Sequence, residues 1–286
     1  MAETVKAGTI GVIGGGRMGA GIAQAFAAAG AGVVVVESDA SAAGAARARI
    51  ETGLKRAAER GKLTDAPESV LARVETVTDI AALPSSAALV VEAVPEDVRL
   101  KIAVLTAAER AVGEGTVLAT NTSALSVGEL GAALSDATRF LGTHFFNPVP
   151  PSKLVEVVTH AGTGPGVLDR VTGWVRELGK TAVVVRDSPG FATSRLGVAL
   201  GLEAIRMLQE GVADAESIDH AMELGYGHPM GPLRTTDLVG LDVRLAIAEH
   251  LAEVLGDRFA PPELLREKVE KGELGRKSGK GFHTWS

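Results

Sequence analysis

The stretch Gly8-Thr-Ile-Gly-Val-Ile-Gly-Gly-Gly-Arg-Met-Gly19 decides the fold. Residues 8–13 are rich in β-branched side chains and read as a short buried strand. Residues 14–19 match the spacing G-x-G-x-x-G, and residues 17–29 continue as an Ala-rich helix. Residues 33–36 are four consecutive valines, a second buried strand that ends at Glu37. Strand, helix and strand together have the length of a parallel crossover unit. The glycine spacing alone is weak in a chain with 35 glycines. Its place directly after a strand and at the opening of a helix gives it meaning. Gly14 permits the tight turn, Gly16 lets backbone approach a pyrophosphate, and Gly19 lets helix and strand pack closely. Gly15, Arg17 and Met18 complete the loop, whose amides and helix dipole favour phosphate. Glu37 can accept both ribose hydroxyls of a dinucleotide and would repel a 2′-phosphate. Ser38-Asp39-Ala40 bring no arginine to hold that phosphate, so the expected cofactor is NAD rather than NADP.

Working outward, residues 39–60 read as a long helix. Apolar runs follow at 88–94, 116–120, 138–146, 153–158 and 181–185, with helical stretches near 97–112, 126–134 and 165–178. The alternation indicates a doubly wound α/β sheet. At Arg186-Asp-Ser-Pro-Gly190 the pattern changes. Residues 191–210, 214–224, 236–255 and 262–271 all read as helices. The expected architecture is a Rossmann-type α/β domain over residues 1–186, followed by an all-helical C-terminal domain over 187–286. The apolar faces of 196–208 and 238–254 suggest burial against a second subunit, hence a homodimer through the helical domain. A helical cap on its own Rossmann domain is the alternative.

Composition narrows the function. The net charge of −6, with no basic stripe, argues against a nucleic-acid partner. No apolar run reaches the length needed to span a bilayer, and the N-terminus lacks a secretory pattern. The absence of cysteine excludes disulfides, thiolate nucleophiles and Cys-based zinc sites, and no metal is expected. A soluble cytoplasmic protein is the natural expectation.

The chemistry is carried by Thr143-His-Phe-Phe-Asn-Pro-Val-Pro-Pro-Ser-Lys-Leu-Val-Glu-Val-Val158. It sets His144 at the end of one apolar run and Glu156 inside the next. An ionised glutamate there is unfavourable unless paired, and His144, across a Pro-rich turn, is the nearest candidate. A histidine oriented by a carboxylate is a general acid/base unit. Three more segments end expected strands at the ligand-binding edge of such a sheet: Val90-Val-Glu-Ala-Val-Pro-Glu-Asp-Val-Arg-Leu-Lys101, Ala119-Thr-Asn-Thr-Ser-Ala-Leu-Ser126 and Gly190-Phe-Ala-Thr-Ser-Arg195.

With these segments, the chain resembles the (S)-3-hydroxyacyl-CoA dehydrogenase family over essentially its whole length, ending in Leu274-Gly-Arg-Lys-Ser-Gly-Lys-Gly-Phe282. The resemblance is closest to the stand-alone bacterial 3-hydroxybutyryl-CoA dehydrogenases. It implies His144 as catalytic base, Glu156 as its partner, and Ser123 beside both nicotinamide and the reacting oxygen. It implies Asn147 on the nicotinamide side, Asn121 among the cofactor-binding residues, Glu96 and Lys101 along the ribose region, and Lys277 reaching the cofactor site from the tail. Lys55 and Arg56 match the helix that presents cations to coenzyme A, although they also suit an ordinary solvated face. Ser123 equally suits a helix cap. Ser194 occupies a position where the family usually has Asn, whose amide helps hold the substrate. A hydroxyl offers one donor instead of two, which leaves the acyl chain open. The implied reaction is NAD-dependent oxidation of a short-chain 3-hydroxyacyl-CoA. The alternatives are an unusual substrate such as 3-hydroxyadipyl-CoA or a free 3-hydroxy acid, and a non-catalytic NAD(H)-binding regulator.

Overall fold

A computed structural model describes Val5 and residues 8–285, and the chain divides into two compact units between Asp187 and Ser188. The first unit is built on β1 (Thr9–Ile13), α1 (Arg17–Ala28), β2 (Gly32–Val36), α2 (Ala40–Glu59), α3 (Pro67–Leu71) and β3 (Val74–Val77). It continues with β4 (Leu89–Glu92), α4 (Val98–Ala111), β5 (Val117–Thr120), α5 (Val127–Gly131), β6 (Phe140–Phe145), β7 (Leu154–Thr159), α6 (Pro165–Glu177) and β8 (Thr181–Arg186). The eight strands form one sheet in the order β3-β2-β1-β4-β5-β6-β7-β8. All pairs are parallel except β6 with β7. The order reverses direction between β1 and β4, which opens a crevice at the carboxyl ends of the strands.

The central strands β1, β2, β4 and β5 are short, apolar and covered on both faces, as parallel strands flanked by helices must be, whereas β8 at the far edge has no buried residue. Ile10, Val12, Val35, Val90, Val91, Leu118 and Ala119 are fully buried. On α1, Ile22, Ala23, Phe26 and Ala27 share the face toward this core, and on α2 Ala46, Ile50 and Leu54 do. Two elements escape the sequence pattern. The four-residue β3 and the five-residue α3 are too short to show a period, and β3 is half-exposed at the sheet edge. Among the described residues, no helix is long and apolar enough to cross a membrane, and no group of three or more His, Cys, Asp or Glu could hold a metal.

The second unit is built on helices: α7 (Thr193–Gln209), α8 (Ala215–Tyr226), α9 (Pro232–Val239), α10 (Leu241–Leu255) and α11 (Glu263–Glu270). The single helix expected over 236–255 is two, because Gly240 takes φ +107°, outside helical geometry. The unit has its own core around Val198, Leu202, Ile205, Leu233, Leu241 and Leu251. Two buried carboxylates hold its tail. Asp237 accepts from the Phe282 and His283 amides and from Trp285 Nε1, at 2.8, 2.8 and 2.9 Å. Asp219 accepts from Leu233 N, Arg234 N and His283 Nε2.

Candidate active site

The glycine loop lies between β1 and α1. Gly14 takes φ +92°, and a Cβ at Gly19 would sit 1.7 Å from the Gly14 carbonyl oxygen, so only glycine lets α1 start this close to the strand. A Cβ at Gly16 would meet nothing within 4 Å, which leaves the backbone there open to a ligand. Helix α1 begins at Gly16 with no side-chain cap and no acid in its first turn. Its unpaired N–H groups therefore face the opening with their positive dipole end. Glu37 follows β2, and its Oε1 accepts from Gly15 N at 2.6 Å. Arg49 of α2 donates to Gly15 O at 3.2 Å. The loop is thus held through both backbone groups of one residue, Gly15, and these groups fit a dinucleotide. Arg17 is exposed, and Met18 packs partly on the core.

At the ends of β4 and β5 lies a network that the sequence reading only touched. Glu92 is fully buried at the end of β4, and Lys101 is fully buried on α4, with Oε1 and Nζ 2.7 Å apart. Glu92 Oε2 accepts from the Thr120 hydroxyl at 2.6 Å. Lys101 also reaches Val94 O and Glu96 Oε2, both at 3.3 Å. Its three donors are therefore engaged by the protein, and it acts on the crevice through Glu96. Glu96 Oε1 in turn accepts from the Thr122 hydroxyl, Ser123 N and Ala124 N at 2.5, 2.9 and 3.2 Å. Burial opposes charge on Glu96. The Thr122 hydroxyl, the Lys101 ammonium and the Ser123 amide outweigh it and hold the carboxyl below its ordinary range. Ser123 is exposed on a loop that this carboxylate fixes. Asn121 is buried, and its Oδ1 accepts from Phe145 N at 3.0 Å, tying the ends of β5 and β6 together.

The antiparallel pair β6/β7 sets His144 opposite Glu156. Their Nδ1 and Oε2 atoms are 2.7 Å apart, with Glu156 fully buried and His144 6% exposed. An ionised carboxylate only accepts, so the tautomer that matches this contact carries its proton on Nδ1 and leaves Nε2 to accept. The Phe146 ring packs against the imidazole at a centroid distance of 4.5 Å. Asn147 is exposed at the turn, one residue past Phe146, and its bond to Pro148 is cis. A buried cation clamps this turn: Lys180 Nζ donates to the carbonyls of Val149, Pro150 and Ser152 at 2.7, 3.3 and 2.5 Å.

The structure thus brings the Gly14–Gly19 loop, Glu37, Glu96, Asn121, Ser123 and the His144–Glu156 pair to one edge of one sheet. Lys55 and Arg56 lie elsewhere, on the exposed side of α2, where Lys55 pairs with Glu51 at 2.6 Å. In the helical unit, Ser194 is half-exposed in the first turn of α7. Lys277 is held 2.6 Å from both carboxylate oxygens of Asp242. Sequence reasoning missed Glu92 and Lys180. Glu92 could have been found, because Leu-Val-Val-Glu hides a carboxylate in an apolar run as the Glu156 segment does. Lys180 could not, because its partners are carbonyls with no residue signature.

A crevice that binds NAD, beside a histidine held by a buried carboxylate, defines an NAD-dependent oxidoreductase. Residues 9–188 match the NAD-binding domain of 3-hydroxyacyl-CoA dehydrogenase, and residues 190–285 match its C-terminal domain. The chain belongs to the 3-hydroxyacyl-CoA dehydrogenase family. A probable 3-hydroxybutyryl-CoA dehydrogenase of Deinococcus radiodurans is 42% identical over 276 residues, spanning 96% of this chain and 99% of the relative. A 3-hydroxybutyryl-CoA dehydrogenase of Mycobacterium tuberculosis is 41% identical over 280 residues, 96% of this chain and 98% of its own. The crystal structure of (S)-3-hydroxybutyryl-CoA dehydrogenase from Ralstonia eutropha superposes with a TM-score of 0.92 at 40% identity, covering 97% of this chain and 99% of that one.

Proposed function

We propose that the chain interconverts (S)-3-hydroxyacyl-CoA and 3-ketoacyl-CoA with NAD, on short chains such as 3-hydroxybutyryl-CoA, and that His144 and Glu156 form its acid-base dyad. The observation that supports this best is the 2.7 Å contact between two buried groups, His144 Nδ1 and Glu156 Oε2. The names of the relatives point the same way. Bound NAD supplies a hydride acceptor for C3. In oxidation His144 Nε2 takes the hydroxyl proton, and Glu156 stabilises the imidazolium that forms. In reduction the same imidazolium protonates the developing alkoxide. Ser123, on the loop fixed by Glu96, donates a hydrogen bond to that oxygen. The glycine loop and the α1 N-terminus hold the pyrophosphate, and Glu37 the ribose. Glu96 lines the ribose region with Lys101 supporting it from behind, Asn147 borders the nicotinamide, and Asn121 contributes to the cofactor site. Lys55 and Arg56 meet the nucleotide end of coenzyme A. The helical unit supplies Ser194 to the substrate, Lys277 to the cofactor, and the face of a homodimer working in the cytoplasm.

The test is loss of NADH absorbance with acetoacetyl-CoA, alongside light scattering for the dimer. Turnover that disappears in His144→Ala supports the assignment. No turnover with any 3-ketoacyl-CoA from four to ten carbons overturns it.

A further inference from the structure

Glu92 closes β4, is fully buried, and is met by three donors. Its Oε1 accepts from Val94 N and Lys101 Nζ, both at 2.7 Å, and its Oε2 from the Thr120 hydroxyl at 2.6 Å. Lys101 is fully buried too and stands 3.3 Å from a second carboxylate, Glu96 Oε2. One ammonium therefore serves two carboxylates, and the distances divide it unequally. Its closer partner is the buried acid. The other acid, Glu96, has a side chain 39% exposed. A buried ion pair adds little net stability over an apolar pair of the same shape, so stability alone does not account for Glu92 and Lys101. Together the three groups carry one negative charge, and it emerges at Glu96.

The sheet order says which end of the cofactor meets this charge. Along the edge, Glu37 follows β2, the glycine loop follows β1, Glu96 follows β4, Ser123 follows β5, and His144 lies on β6. A Cβ on Gly14 would come within 3.1 Å of Val94 N, so the glycine loop adjoins the segment that leads to Glu96. With the pyrophosphate at the α1 N-terminus and the adenine ribose at Glu37, the nicotinamide half runs over β4 and β5 toward His144. Glu96 borders that half. Against the burial that opposes its charge, it is held ionised by the Thr122 hydroxyl, the Lys101 ammonium and the Ser123 amide. Oxidised nicotinamide is positively charged, and the reduced ring is neutral. A fixed negative charge nearby therefore favours the oxidised form.

We propose that Glu92 is a positioning residue that sets the redox preference of the cofactor site. By neutralising Lys101, it leaves the charge of Glu96 uncancelled beside the nicotinamide ribose, and so raises the affinity for NAD+ relative to NADH. The inference rests on the reading above that Glu96 lines the ribose region. Without Glu92, Lys101 turns its charge to Glu96, and the two cancel. In the oxidising direction the arrangement loosens the reduced product relative to the oxidised cofactor that must replace it.

The experiment measures Kd for NAD+ and for NADH by isothermal titration calorimetry. The chains are wild type, Glu96→Gln, Glu92→Gln and the double variant Glu92→Gln/Lys101→Met. The reading is the ratio of the NAD+ Kd to the NADH Kd, because a purely structural defect weakens both forms alike. Glu96→Gln and Glu92→Gln are each expected to raise the ratio by about threefold or more, the effect of one unit charge a few ångströms away under partial screening. The double variant loses one charge of each sign, keeps Glu96, and is expected to return the ratio to the wild-type value. A ratio that moves in Glu96→Gln but not in Glu92→Gln overturns the inference and leaves the reading of Glu96 standing. So does a double variant that fails to restore it. A ratio unmoved in every variant overturns both. Should Glu92→Gln not fold, adding Glu96→Gln to the double variant decides. The shift it causes there is expected to equal its shift in wild type. A larger shift in the double variant means that Lys101 already cancels Glu96 in the native chain, which overturns the inference. Turnover of acetoacetyl-CoA is not among the readings, so the proposed function is tested separately.

Discussion

At the scale of single residues, burial makes the His144–Glu156 contact consequential. With Glu156 fully buried, its charge has the imidazole as its polar counterpart at 2.7 Å, and a proton gained on Nε2 is stabilised in a low-dielectric setting. Replacing His144 by alanine is expected to lower kcat by at least about 10²-fold, the low end for losing a general base. Steady-state kinetics check it, and an unchanged kcat would remove His144 from the mechanism. Glu37 carries a separate burden. Its Oε1 steadies Gly15 N at 2.6 Å. Glu37→Ala is expected to weaken NADH binding by about tenfold or more, the loss of hydrogen bonds to a charged group, and to narrow the gap to NADPH. Fluorescence titration with both nucleotides measures this, and an unaltered ratio would contradict it.

At the scale of elements, the turn between β6 and β7 depends on a cation that belongs to neither strand. Lys180 gathers three carbonyls from residues 149–152, and burial pushes its pKa below the ordinary lysine value. Lys180→Met leaves those carbonyls without their donor. It is expected to destabilise the first unit by about 1–3 kcal/mol and to lower kcat more than it raises KM. Urea unfolding and kinetics at saturating substrate read the two effects, and full stability with wild-type kcat would refute the clamp. Much of this level was legible beforehand. Val33–Val36, the glycine loop and the apolar run ending at His144 announce buried strands and their edge through composition alone. The four-residue β3, the break at Gly240 and the Lys180 clamp were not legible. A short edge strand has no period, a φ of +107° leaves no mark beyond a glycine, and a carbonyl acceptor is common to every residue.

At the scale of the whole chain, each unit holds itself together with its own core and its own buried carboxylates. In the helical unit the tail is fastened by Asp219 and Asp237 and flanked by Glu273, which reaches Lys268 at 2.8 Å and Lys280 at 2.5 Å. The hydrogen bonds from Lys268 and then Lys280 hold the Glu273 carboxyl down to about 2. A carboxyl depressed in the fold stabilises it above the unfolded value, about 4.5, and loses that contribution as pH falls toward the folded one. The gap in Tm between wild type and Glu273→Gln is therefore expected to be full at neutral pH and to shrink as pH falls from about 4.5. Circular-dichroism melts across that window test it, and a gap independent of pH would contradict it. The β6/β7 register has a different reach. Because His144 faces Glu156 across one antiparallel pair, the proposed proton-handling unit lies within a single hairpin. A one-residue insertion within either strand would turn its partner to the other side of the sheet. Lengthening the turn would leave the facing pair in step. Descendants of this chain are therefore free to vary what they bind far more than how they move a proton.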